Sequence, residues 1–212
     1  VFFSLQMVRV ALSIFLFALI ATCLGQGTFT DITFIDTFDD SDSDPIVIVI
    51  PESPSFPITE ERVGEDLNSN RVLGTERNLL LTVISGDTEN VLTAAITNSS
   101  FTSTTQQGAT GVSLLQYDGT DGTSVLNPAG LFTADAETDL TKNNAFALHA
   151  RLESDIRTNV VFRVYSGSAT DYCQFIQFVP GDDIMRDYFL NYNTFDTFGA
   201  GCDFANVGAV EV

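Results

Sequence analysis

Five carboxylates stand within nine residues: Asp36, Asp39, Asp40, Asp42 and Asp44. A second acidic turn reads Asp118-Gly119-Thr120-Asp121-Gly122. Hard cations take several carboxylate and carbonyl oxygens. Asp36, Asp39, Asp40, Asp118 and Asp121 are therefore the candidate ligands of a structural calcium. The spacing is not that of an EF-hand, which needs Gly at the sixth position and Glu at the twelfth. A solvated acidic loop beside an ordinary Asx turn has the same composition.

A second chemistry is sugar binding on a sheet, which needs aromatic faces beside hydrogen-bonding side chains. His149, Arg151 and Glu153 share the polar face of one expected strand, Arg163 and Tyr165 a face of the next, and Tyr188 and Tyr192 a third. The solvent side of a half-buried antiparallel sheet looks the same. The absence of Trp counts against a strong stacking platform. Catalysis has less to draw on. His149 is the only histidine, and it falls mid-strand, whereas catalytic groups favour loops and strand ends. The chain has no G-x-S-x-G, no H-E-x-x-H and no Gly-rich phosphate cradle. Two acids meeting in space, as in glycoside hydrolysis, stay open. No catalytic residue is nominated.

The elements that would carry these residues begin with an address. Met7-Val8-Arg9, the apolar run from Val10 to Ala21 and Thr22-Cys23-Leu24-Gly25 read as a signal peptide. The apolar run is shorter than the roughly 20 residues of a bilayer span. Cleavage after Gly25 removes residues 1–25 and leaves 26–212 as one domain, expected to continue beyond Val212. Cys173 and Cys202 remain. In a secreted domain such a pair reads as a disulfide, with two buried thiols as the alternative. Two cysteines this far apart are no zinc signature. Asn98-Ser99-Ser100 is the one N-x-[ST] sequon, so Asn98 is a candidate glycan acceptor in a secreted glycoprotein.

Strand signals follow. Ile32, Phe34, Asp36 and Phe38 share one parity, and Ile46 to Ile50 reads as a buried β-branched strand. Pro51, Pro54 and Pro57 mark an extended loop, and 59–70 stay unassigned. Arg77–Ile84, Val91–Asn98, Val112–Tyr117, Ala145–Glu153, Asn159–Tyr165, Tyr172–Val179, Tyr188–Tyr192 and Val207–Val212 complete about ten short strands. Ser99 to Thr110 reads as a Ser/Thr-rich loop. No helical periodicity and no internal repeat appear. The fold class is all-β, a β-sandwich of jelly-roll or related Greek-key kind.

Three segments carry a resemblance. Gly74-Thr75-Glu76-Arg77-Asn78-Leu79-Leu80-Leu81-Thr82-Val83, Asp203-Phe204-Ala205-Asn206-Val207-Gly208-Ala209-Val210-Glu211 and Phe34-Ile35-Asp36-Thr37-Phe38-Asp39-Asp40 resemble secreted jelly-roll proteins of cyanobacteria and algae. The resemblance runs from about residue 29 to 212 and implies a galactose-binding-like or carbohydrate-binding-module sandwich. The paired cysteines and the Pro-rich segment depart from it.

Charge narrows the partners. Of 212 residues, 28 are acidic and 9 are Lys or Arg, a formal net charge of −19. Phosphate backbones need clustered Lys and Arg, so nucleic acid is excluded as a partner, and anionic membrane surfaces are disfavoured. The expected protein is a secreted, non-catalytic module at the cell surface or in the extracellular space, binding a glycan or an extracellular matrix component. Alternatives are a self-associating subunit of a surface layer or filament, and a secreted hydrolase.

Overall fold

The computed structural model describes residues 7–12, 17–18, 35–38, 45–64, 67, 72–97, 100–134, 138–142, 145–152 and 158–212. Most of residues 1–25, together with Asp39, Asp40, Asn98 and Glu153, lie outside the described residues. Fourteen strands are described: β1 (Met7–Leu12), β2 (Phe17–Ala18), β3 (Ile46–Val49), β4 (Ile58–Gly64), β5 (Arg77–Ser85), β6 (Val91–Thr97), β7 (Ser100–Gln106), β8 (Thr110–Tyr117), β9 (Ala145–Ala150), β10 (Thr158–Tyr165), β11 (Tyr172–Val179), β12 (Arg186–Asn191), β13 (Asp196–Phe198) and β14 (Ala209–Glu211). Among the described residues no helix is long and apolar enough to cross a membrane.

Every ladder is antiparallel. A seven-stranded sheet runs β13-β11-β10-β14-β8-β5-β4. A four-stranded sheet runs β1-β7-β6-β3 and a three-stranded one β12-β9-β2. The seven-stranded sheet forms one layer of a β-sandwich, and the two smaller sheets pack on its inner face. Period-two alternation sets that face. Leu79, Leu81 and Val83 of β5, Leu115 and Tyr117 of β8, and Val160, Phe162 and Val164 of β10 point inward and are buried. Across the gap they meet Leu92, Ile96 and Phe101 at one end and Phe146 at the other; Phe146 stacks on Phe162 with ring centroids 6.0 Å apart. Each such side chain contributes about 1.5–3 kcal/mol of burial free energy.

One expected loop and one unassigned segment are strands. β7 carries Ser, Thr and Gln where an apolar pattern would be sought, yet it pairs along its whole length with β6. Its hydroxyls find partners instead: Thr104 with Thr93, and Ser103 with Ser113 of the facing sheet at 2.6 Å. β4, left unassigned in the sequence reading, is a polar edge strand pairing only with β5. The segment 46–50 is a strand, but not one buried on both faces. β3 sits at a sheet edge, with Ile46, Ile48 and Ile50 buried and Val47 and Val49 50% and 56% exposed. Near Asp36 only residues 35–38 are described. They make one bridge, Asp36 to Val72, and Phe38 turns the chain away with φ 51°.

Candidate functional site

The outer face of the seven-stranded sheet carries a polar row that no single segment of sequence contains. Register aligns Asn78 with Gln116, Gln116 with Glu211, Glu211 with Arg163, Arg163 with Gln174, and Gln174 with Asp196. Six strands thus contribute one side chain each. The row has two functional ends.

At the β10–β11–β13 end, Arg163 is the pivot. Its Nε donates to Gln174 Oε1 at 2.9 Å, Nη1 lies 3.5 Å from Glu211 Oε2, and the guanidinium sits over the Tyr172 ring at 5.9 Å. One rung along, Tyr172 stacks on Phe198, with centroids 4.7 Å apart and planes 12° from parallel. Phe198 is 39% exposed, so an aromatic surface stands beside the guanidinium. Next to it, a cleft of about 280 Å³ is lined by Val112, Leu114, Asn159, Val161, Arg163, Glu211 and Val212 among others.

At the β5–β8 end, Glu76, Asn78, Gln116 and Asp118 share the outer face, all of them buried. The 118–131 loop covers them. Gly119, at φ 86°, lies so close under Gly130 that a β-carbon would meet the Gly130 carbonyl oxygen at 2.5 Å. Asp118 accepts from Gln116 Nε2 at 2.6 Å, from the Asn127 N–H at 2.7 Å and from Asn78 Nδ2 at 3.3 Å. Glu76 Oε2 accepts the N–H groups of Asp121 and Gly122, each at 3.0 Å. Burial pushes the Asp118 carboxyl up to about 6, and the charges of Asp121 and Glu76 add to this against its hydrogen bonds.

That shift fixes a sign. The folded protein holds the Asp118 proton more tightly than the unfolded chain, whose value is near 3.8. The corresponding stability is present below pH 4 and is lost as pH rises through 6. In EDTA the melting temperature should therefore be higher at pH 5 than at pH 7.5, by an amount equivalent to about 1.4 kcal/mol. Asp118→Asn should remove the difference. A pH 5 advantage of the same size in the variant would assign it to general charge relief instead.

The residues nominated from sequence are not brought together. Arg163 and Tyr165 lie on the outer face of the seven-stranded sheet, but Tyr165 is buried and donates to Glu211 Oε2 at 2.6 Å. Burial, first, and Glu211 raise its hydroxyl above the usual tyrosine range. Tyr188 and Tyr192 belong to the three-stranded sheet and the turn after it, against the core. Tyr192 stacks on Phe204 at 4.2 Å. Both hydroxyls are buried without a partner, so neither ring is a free platform. Arg151 pairs with Asp183 at 3.5 Å, and the backbone of His149 registers with Asp187 of β12. The sequence reading missed Tyr172, Phe198 and Gln174, which only cross-strand register places beside Arg163.

For calcium the outcome is also mixed. Asp36 is committed elsewhere: its carboxylate takes Arg77 Nη1 at 2.7 Å, the Tyr117 hydroxyl at 2.9 Å and the Phe38 N–H at 2.7 Å. Asp118 and Asp121 do share a loop, but the Asp121 carboxylate is turned to Thr123 and Asn127. Among the described residues, no group of three or more His, Cys, Asp or Glu side chains is arranged to hold a metal ion. Cys173 and Cys202 form a disulfide.

Comparison with protein-family models, with curated proteins and with solved structures returns no match. The class of the protein, an all-β sandwich with one disulfide, rests on its own residues.

Proposed function

We propose that this is a secreted, non-catalytic extracellular module that binds a glycan on the outer face of β10, β11 and β13. The observation that carries the reading is the stacked Tyr172–Phe198 pair beside Arg163. Sugar rings present apolar C–H faces and a rim of hydroxyls. An exposed aromatic takes the first, and a guanidinium, a carboxamide and a carboxylate on one row take the second. Gln174, Glu211 and Asp196 supply the last two. Secretion through the 1–25 segment accords with the disulfide and with a surface of high negative charge. A jelly-roll sandwich of the carbohydrate-binding kind is the framework this reading assumes.

A second reading is favoured by β3. Among the described residues it pairs only with β6, and Val47 and Val49 are exposed along it. An open apolar edge templates pairing between chains, as a surface-layer subunit would need.

Binding to a panel of soluble polysaccharides tests both. Arg163→Ala and Phe198→Ala should each weaken binding about tenfold or more, equivalent to about 1.4 kcal/mol, with melting temperature nearly unchanged. Binding that ignores both substitutions, or no binding to any polysaccharide, sinks the glycan reading. Concentration-dependent assembly in its place favours the edge.

A further inference from the structure

We infer that the buried polar cluster beneath the 118–123 loop is a site for one hard divalent cation, calcium by its donor set, held by Glu76, Asn78 and Asp118 with the Thr123 carbonyl. The inference is independent of the glycan reading and lies at the other end of the sheet.

Two atoms point to it. Glu76 and Asn78 are both fully buried, at 0% exposure. Yet Glu76 Oε1 and Asn78 Oδ1 have no hydrogen-bond partner. Each belongs to a group whose other atom is anchored at the loop. Glu76 Oε2 is fixed by the N–H groups of Asp121 and Gly122. Asn78 Nδ2 is held between Asp118 Oδ1 at 3.3 Å and the Thr123 carbonyl at 2.9 Å. Each free oxygen sits two bonds from its anchor, on a side chain held beside the loop, and the Glu76 charge acts on Asp118 there. An unsatisfied buried oxygen costs about 1–3 kcal/mol, and native structures leave few of them.

Charge gives the second half of the argument. Glu76 and Asp118 are two buried carboxylates with no Lys or Arg among their ion pairs or hydrogen bonds. Uncompensated buried carboxylates are strongly unfavourable. One divalent cation neutralises the pair and gives both orphaned oxygens a partner. All the donors are oxygens from carboxylate, carboxamide and backbone carbonyl, with no thiolate or imidazole, which suits calcium over zinc. The donor set mixes two carboxylates with neutral oxygens, so it is not a cage of three acids. The exposed residues 120–123 form the thin cover through which an ion would enter.

The experiment is thermal melting of the full chain at pH 7.5, in EDTA and in 1 mM CaCl2, with MgCl2 and KCl at matched ionic strength. Calcium should raise the melting temperature by about 5–8 °C over EDTA, with magnesium and potassium giving little. Titration calorimetry should find one calcium per chain. Glu76→Gln and Asp118→Asn should abolish the calcium shift, and Glu60→Gln, on an exposed edge, should keep it. Melting in EDTA checks that each variant folds, and the comparison of calcium with EDTA on the parent chain decides the site even if neither variant does. A folded parent with no calcium shift, or an equal shift from magnesium and potassium, overturns the site.

Discussion

Asp36→Ala is expected to destabilise the protein by about 3–5 kcal/mol, the cost of removing one partner from a buried ion pair. Against a typical total of about 5–15 kcal/mol, this leaves the variant close to unfolding. The carboxylate and the Arg77 side chain are both essentially inaccessible, with Arg77 Nη1 2.7 Å from Asp36 Oδ2. Two further donors aim at the same group, the Tyr117 hydroxyl and the Phe38 N–H. Arg77 also lies over the Phe38 ring at 5.6 Å. One side chain from each of β5 and β8 thereby pins residues 35–38 to the sandwich, where Ile35 and Phe38 are buried. Burial raises the Asp36 carboxyl and Arg77 pulls it back down; a guanidinium has no comparable escape, since it stays charged. Asp36→Ala should therefore cost more than Arg77→Met, whose carboxylate can take a proton. Urea unfolding decides it: the midpoint should fall for both variants, further for Asp36→Ala, with the slope unchanged. The reverse order, or a loss under 1 kcal/mol, would show that this pair does not anchor the segment.

How much of this was legible in the chain differs from element to element. β10 is the clear case, since Val160, Phe162 and Val164 share one parity, with Asn159, Val161 and Arg163 on the other, and are buried. β7 was not legible, because a Ser/Thr strand buries itself through hydroxyl pairing with neighbours whose identity depends on the fold. β3 read as buried on composition, yet its position at an edge is a property of sheet order. The candidate sites show the same limit more sharply. Glu76 and Asp118 lie 42 positions apart in the sequence and become neighbours only through the Asn78–Gln116 register. The acidic run around Asp36 drew attention by density. The buried acid there answers to an arginine, whereas Glu76 and Asp118, buried beside no basic partner among the described residues, come from the residue before β5 and the turn after β8. Density of charge marks solvated loops, and burial without a counter-charge marks a site.

Loss of the Cys173–Cys202 disulfide is the second large effect. The bond spans a sequence separation of 29 residues. On the loop-entropy account, closing a loop of that size stabilises by about 3–4 kcal/mol. The surroundings raise the stake. Cys173 is buried on the inner face of β11, and the Cys202 N–H donates to its sulfur at 3.0 Å. Two residues beyond Cys202, Phe204 packs into an aromatic cluster against Tyr192 at 4.2 Å, Phe195 at 5.6 Å and Phe146 at 6.5 Å. The bond therefore holds the turn segment that delivers Phe204 as well as closing a loop. The Cys173→Ala/Cys202→Ala double variant should melt about 8–14 °C below the parent, and dithiothreitol should reproduce most of that loss. The disulfide ties down the turn after β13, and β13 carries Phe198. Reduction should therefore weaken polysaccharide binding before it unfolds the protein, while the calcium response at the opposite end of the sheet persists. A parent chain whose melting and binding ignore dithiothreitol, with reduction verified by a mass gain of about 2 Da for the two added hydrogens, would refute that order. The aromatic cluster alone would then hold the region in place.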